Sequence, residues 1–277
     1  MNNIIVNLCI KSNNRIDMID NYILQNLVMY LVPFFGVLIP ILLGQRYGFY
    51  LKTKAVKVSD APVGSVVGAA LGLLAFMLAF TFQIVDNRYN ERKKLLLDEV
   101  TTIRTTYLRA GLIPEPYKSN TRKLLIEYTD LRASIVDEIT PRKVEHLKNR
   151  SQAILDSLWH YSEALGALDR SSEAYSLYMS STNDLNEIYN HRVTYTFEYR
   201  IPFAILFILG IITLFSMFLL GYQFGISGKK NNIVAVLISI IFASLMWLIL
   251  ALDRPEKGFI RLNQKPIITL HKQLHGK

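Results

Sequence analysis

Residues Val63 to Val85 read VGSVVGAALGLLAFMLAFTFQIV, 23 residues without a charge, and DNRYNERKK follows at once. About 20 apolar residues are enough to cross the roughly 30 Å hydrocarbon layer as a helix. The next residues, Arg88, Arg92, Lys93 and Lys94, supply the charged flank expected where such a helix leaves the bilayer. The chain therefore reads as an integral membrane protein. Three more stretches, Tyr22 to Gly44, Ile201 to Phe224 and Asn232 to Leu252, hold no Asp, Glu, Lys, Arg or His, which brings the expected membrane helices to four. Pro33, Pro40 and Pro202 are compatible with this, because a proline near a helix start costs little and a kink inside a membrane is repaired by neighbouring groups. The first apolar stretch is longer than a signal-peptide core and ends in GQRYG, so no cleaved signal is expected.

The spans divide the chain into a polar N-terminal extension (1–21), a first hairpin (22–85), a long insertion (86–200), a second hairpin (201–252) and a C-terminal tail (253–277). From Asp86 to Tyr199 the insertion carries net charge −1, and the rest of the chain carries +10 of the total +9. The basic excess thus lies beside the spans, where lipid headgroups would be, and the insertion has no basic stripe. A nucleic-acid partner is not expected; the bilayer itself is. Lys and Arg near the span ends favour both termini and the insertion on the cytoplasmic side of the cell (inner) membrane, although Arg46, Lys52, Lys54 and Lys57 make the loop from Gln45 to Pro62 basic too. The single cysteine, Cys9, excludes an intramolecular disulfide and any Cys-cluster metal site.

Apolar residues in the insertion recur every three or four positions: Leu95, Leu96, Ile103 and Tyr107, then Val144, Leu147, Ile154, Leu155, Leu158, Tyr161, Leu165 and Leu168. That is the period of amphipathic helices. About four helices are expected, with breaks near 111–118, 139–141 and 169–172. Gly111 is placed at a left-handed cap and Thr140–Pro141 at a helix start. The fold class is all-α: four transmembrane helices with a helical cytoplasmic insertion between the second and third.

Several separated segments carry a family resemblance: the LGLLAFMLAFTF span, the DNRYNERKK stretch, Glu99 with Leu108, Arg109 and Pro114, LNE at Leu185 to Glu187 followed by Arg192, and the ALDRPEKGFIRLNQKP tail. Over residues 60 to 270 the chain resembles the bestrophin-like membrane proteins of unknown function, themselves distantly similar to bestrophin anion channels. The resemblance implies a homo-oligomer, pentameric if the analogy extends to true bestrophins, conducting small anions through a neck of bulky apolar residues on the second membrane helix. True bestrophins sense calcium through an acidic cluster after the last span. Here only Asp253 and Glu256 stand in that place, too few oxygens for such an ion, and no calcium dependence is expected.

The residues offer a physical counterpart to the neck. Gly64, Gly68, Gly72, Phe76, Phe80 and Ile84 fall at four-residue spacing. Gly64 and Gly68 suit close helix packing, while Gly72, Phe76, Phe80 and Ile84 are the neck candidates, since an apolar ring can gate by dewetting. The competing reading is that the whole row is helix packing or lipid contact. Arg104 and Arg109 lie beyond it on the same helix, either presenting positive charge to an anion or pairing with Glu99, Asp98 or other acids. Glu187 with Arg192, and Arg132 with Asp137, are expected as structural ion pairs. Asp253 is read as an interfacial anchor paired with Arg254, Arg261 or a residue of the insertion, or else as a solvated charge.

Enzyme chemistry finds no support. No Glu-x-x-His pair, phosphate loop or nucleophile elbow occurs, no catalytic residue is assigned, and no cofactor is expected. His271 and His275 have the spacing of a metal pair, but no third ligand stands near them in sequence, so they are read as chance and no metal is expected. Ionisable residues within the spans, the usual mark of proton-coupled carriers, are absent. Two readings stay open: an anion channel, and a non-conducting membrane scaffold or sensor whose insertion binds a protein partner.

Overall fold

The computed structural model describes residues 2–54, 60–134, 141–195, 200–228, 232–253 and 262–276, and the side chains of these except residues 2–23, 25, 60, 61 and 141. Every regular element among them is helical. The helices are α1 (Asn2–Thr53), α2 (Asp60–Arg109), α3 (Tyr117–Ala133), α4 (Pro141–Leu168), α5 (Glu173–Val193), α6 (Phe203–Ser227), α7 (Asn232–Asp253) and α8 (Lys265–Leu274). The chain divides into two compact units, one of residues 1–87 with 201–261 and the other of residues 88–200 with 262–277.

The first unit holds α1, the first part of α2, α6 and α7. Among the described residues these are the four helices long and apolar enough to cross a membrane. Hydroxyl groups within them are satisfied locally: Thr81, Thr213, Ser239 and Ser244 each donate to the carbonyl four residues earlier, at 2.7–2.8 Å, which is how a polar side chain avoids an unmet bond where no water is available. Tyr30 Oη and Ser244 Oγ, 3.4 Å apart, link α1 to α7. Gly228, at φ 74°, closes α6 in the left-handed conformation, which a residue with a Cβ rarely adopts.

The first span differs from its expected bounds. The uncharged stretch ends at Gly44, but α1 continues to Thr53 through part of the expected loop, and it also includes the N-terminal extension from Asn2. Glycines explain the far end. A Cβ on Gly44 would come 2.7 Å from the Tyr222 nitrogen, and one on Gly48 3.0 Å from the Gly225 Cα; one on Gly221 would overlap the Ile41 carbonyl, and one on Gly225 would sit 2.8 Å from the Gly48 Cα. Two pairs of glycines, each four residues apart, therefore let the backbones of α1 and α6 touch. Holding that contact requires α1 to stay helical past its charged Arg46. Tyr47 extends the contact with tilted ring packing on Phe218 and Tyr222.

The second unit is a helical bundle around Leu96, Ile103, Leu125, Tyr128, Ile154, Leu155, Leu158, Leu185, Tyr189, Ile267 and Leu270. The three-and-four spacing identified most of the core supplied by α2 and α4. Leu168 is the exception, 65% exposed at the last position of α4. The expected break near 111–118 is present but built differently. Gly111 sits in a 3-10 turn, Ala110–Leu112, that tightens the end of α2, so it needs no left-handed conformation. The break at 169–172 is held by Asp169, which accepts from the Ser171 amide at 2.9 Å, and by Ser172, whose side chain caps α5. Thr140 and Asp137 lie outside the described residues. The C-terminal segment is not a separate tail: from Leu262 it belongs to this unit, with Ile267 and Leu270 of α8 buried in the core.

Candidate functional site

The candidate neck row on α2 splits in two. Four residues turn an α-helix by about 400°, so a row at strict four-residue spacing drifts by about 40° at each step and cannot stay on one face over its whole length. Gly68, Gly72, Phe76 and Phe80 form its exposed middle: Phe76 is 65% and Phe80 53% exposed, and nothing lies within 4 Å of a Cβ placed on Gly68 or Gly72. At the two ends the drift carries the row back towards its own chain. Ile84 is half-buried, and a Cβ on Gly64 would meet the Gln223 side chain at 3.1 Å. The opposite face carries the buried Val67, Leu74, Leu78, Thr81 and Val85, and Ser216 on α6 donates to the Ala70 carbonyl at 3.2 Å. One side of α2 therefore packs within the chain, and the glycine-then-phenylalanine side is uncovered.

Glu99 has a clear structural place in the second unit. Its carboxylate is fully buried; the Tyr128 hydroxyl donates to Oε1 at 2.7 Å, Arg132 Nε stands 3.0 Å from the same oxygen, and Arg192 contacts Oε2. The expected pairing of Arg192 with Glu187 gives way to this shared acid, which ties α2, α3 and α5 together; Asp137, the partner expected for Arg132, lies outside the described residues. Burial pushes the Tyr128 phenol up to about 12 and pulls the Arg192 guanidinium down to about 10, so near neutral pH the phenol is a hydrogen-bond donor and the guanidinium a cation.

The other charged candidates separate as well. Arg109 does not pair with Glu99; its guanidinium donates to the Leu177 carbonyl at 2.8 Å. Arg104 is exposed and lines a groove of about 450 Å³ with Lys265, Thr269 and Gln273 of the α8 segment. In the first unit Asp253 is 7% exposed, and its carboxylate accepts from the Ile201 amide at 3.2 Å. It is thus not a solvated charge. It satisfies a backbone donor just before α6 begins, where a negative charge also meets the positive end of the helix dipole. Arg254 and Arg261 lie outside the described residues.

A model of the bestrophin-like domain matches residues 28–267. The chain belongs to the bestrophin-like family. Its fold is that of bacterial bestrophin homologues. Two crystal structures of variants of the Klebsiella pneumoniae homologue are 16% and 19% identical to this bestrophin-like chain, with TM-scores of 0.65 and 0.64; the matches cover 89% and 91% of this chain and 99% and 98% of those. A third variant structure from the same organism matches at 20% identity and TM-score 0.61, over 91% of this chain and 99% of that one. No curated protein matches the sequence. Family and apolar helices together make it a multi-pass membrane protein.

The C-terminal histidines of the bestrophin-like chain depart from expectation. Their lack of a third ligand holds only along the sequence. In space Asp130 of α3 stands beside both: its Oδ1 lies 2.9 Å from His271 Nε2 and 3.5 Å from His275 Nε2. The spacing of the histidines was the visible signal; the carboxylate, far away in the chain, was not.

Proposed function

We propose that this bestrophin-like chain assembles into an oligomeric channel for small anions, with α2 of each copy turning Gly68, Gly72, Phe76 and Phe80 towards a central axis. The observation that carries this reading is the unequal use of the three glycine pairs. Gly44 with Gly48, and Gly221 with Gly225, are consumed inside the chain, whereas Gly68 and Gly72 meet nothing. An open pair at that spacing suits the close approach of a helix from another copy, and the two exposed phenylalanines one turn further on would form the apolar constriction. Ile84, half-buried, lies at the margin of that constriction, and Gly64 packs within the chain. A pentamer and a preference for anions are part of this proposal, suggested by the resemblance to bestrophin anion channels. The basic residues beside the spans support placing the termini and the insertion in the cytoplasm.

The test is cross-linking with conduction. Phe80→Cys in a Cys9→Ser background, oxidised in liposomes, should give disulfide-linked dimers within a larger oligomer, and the unmodified protein should carry current. A well-folded oligomer that neither cross-links there nor conducts would favour the scaffold reading.

A further inference from the structure

We propose that Asp130, His271 and His275 form a binding site for a zinc-class divalent metal ion, which fastens the C-terminal helix α8 to α3. The geometry of a coordinated ion is already sketched. With metal–nitrogen and metal–oxygen bonds of about 2.0–2.1 Å in a tetrahedral site, neighbouring ligand atoms stand roughly 3.3 Å apart. The two distances from Asp130 Oδ1, 2.9 and 3.5 Å, bracket that edge, and the three ligand atoms lie within 4.8 Å of one another. The histidines sit one helical turn apart at the end of α8, with ring centroids 4.4 Å apart, so both imidazoles face the same point.

Hydrogen bonding does not account for the arrangement. Asp130 Oδ1 is buried and receives no hydrogen bond, although two imidazole nitrogens stand within 3.5 Å of it. His275 Nδ1 lies 2.9 Å from the His271 carbonyl oxygen. That oxygen only accepts, so Nδ1 carries the proton, and in the neutral ring Nε2 presents its lone pair to Asp130. Lone pair then faces carboxylate, and a cation bound between them would satisfy both. The same bond fixes the ring orientation and tautomer, as outer partners commonly do for metal-ligating histidines. All three side chains are partly solvent-accessible, so an ion can enter and complete its coordination with water. Two imidazoles and one carboxylate suit Zn²⁺ and its transition-metal neighbours better than Ca²⁺ or Mg²⁺, which prefer oxygen.

The test uses the full-length protein in detergent, freed of metal by chelation. Calorimetric titration with ZnCl₂ should show one site per chain, and Co²⁺ should give visible d–d bands displaced by Zn²⁺. The variants Asp130→Asn, His271→Gln and His275→Gln should each weaken Zn²⁺ binding at least tenfold and lose the bands, with far-UV circular dichroism and elution volume confirming that they fold. Zn²⁺ should raise the melting temperature of the parent but of none of the three, because a ligand bound only by the native state stabilises it. No saturable binding by the parent would overturn the proposal. So would binding that survives in all three folded variants, since the ion would then be held elsewhere.

Discussion

Removing the charge of Glu99 is the sharpest perturbation of the second unit. Glu99→Gln keeps the side-chain volume and leaves Arg132 and Arg192 facing an amide, with side chains only 11% and 16% exposed. A single pair at the 3.0 Å separation of Arg132 Nε and Glu99 Oε1 attracts by about 5 kcal/mol at an effective dielectric of about 20. The desolvation of the ions offsets much of that in the native protein. Once the acid is neutralised, however, the guanidiniums keep their desolvation cost and lose the compensation, and breaking such a buried pair costs about 3–5 kcal/mol. Glu127→Gln is the internal comparison. It breaks the Arg150–Glu127 pair, shorter at 2.6 Å but with side chains 46% and 40% exposed, where the expected loss is below about 1 kcal/mol. Urea unfolding in detergent, followed by Trp159 fluorescence in a Trp247→Phe background, reads the difference. A Glu99→Gln loss no larger than that of Glu127→Gln would refute the reasoning.

Three further outcomes are expected. Gly221→Val and Gly225→Val should abolish monodisperse protein, because backbone atoms already occupy the Cβ positions, whereas Gly210→Ala, with nothing within 4 Å of its Cβ, should elute like the parent; equal behaviour of the three in size-exclusion chromatography would contradict the α1–α6 contact. Because burial raises the Tyr128 phenol to about 12, the unfolded chain releases its proton first as pH climbs. The resulting stabilisation of roughly 2–3 kcal/mol is complete below pH ~10 and is lost as pH rises through ~12, so Tyr128→Phe should flatten the alkaline fall in stability measured by unfolding titrations across that window. Asp253→Ala should cost about 1–3 kcal/mol by leaving the Ile201 amide without its acceptor, whereas Asp253→Asn, which retains an acceptor, should recover most of this in the same unfolding assay.

The membrane helices were legible because a helix shielded from water along its whole length must dispense with charge over about 20 residues, and the bundle was legible because α2 and α4 repeat apolar residues at three and four. Residues 44, 48, 221 and 225 show the same glycine spacing as residues 64, 68 and 72, yet spacing does not say which helix a glycine meets. The contact of α1 with α6, and the length it imposes on α1, emerged only in three dimensions. Glu99 stood out by resemblance, but its partners on α3 and α5 lie beyond any local pairing rule, and Asp137 and Glu187 stand nearer in sequence to the same arginines. The histidine pair was visible as a spacing while Asp130, on α3, was one acid among many. The drift of the α2 row follows from helix geometry alone: it separates the exposed Gly68, Gly72, Phe76 and Phe80 from Gly64 and Ile84, which turn back towards the chain.

The most direct measurement is the reversal potential of single channels formed by purified protein in a planar bilayer under asymmetric potassium chloride, with the Phe76→Ala/Phe80→Ala variant recorded beside it. An anion pore lined by α2 should reverse near the chloride equilibrium potential and show a changed conductance or gating in a variant that still assembles. Reversal near the potassium potential, or identical currents from parent and variant, would contradict an anion pore lined by α2.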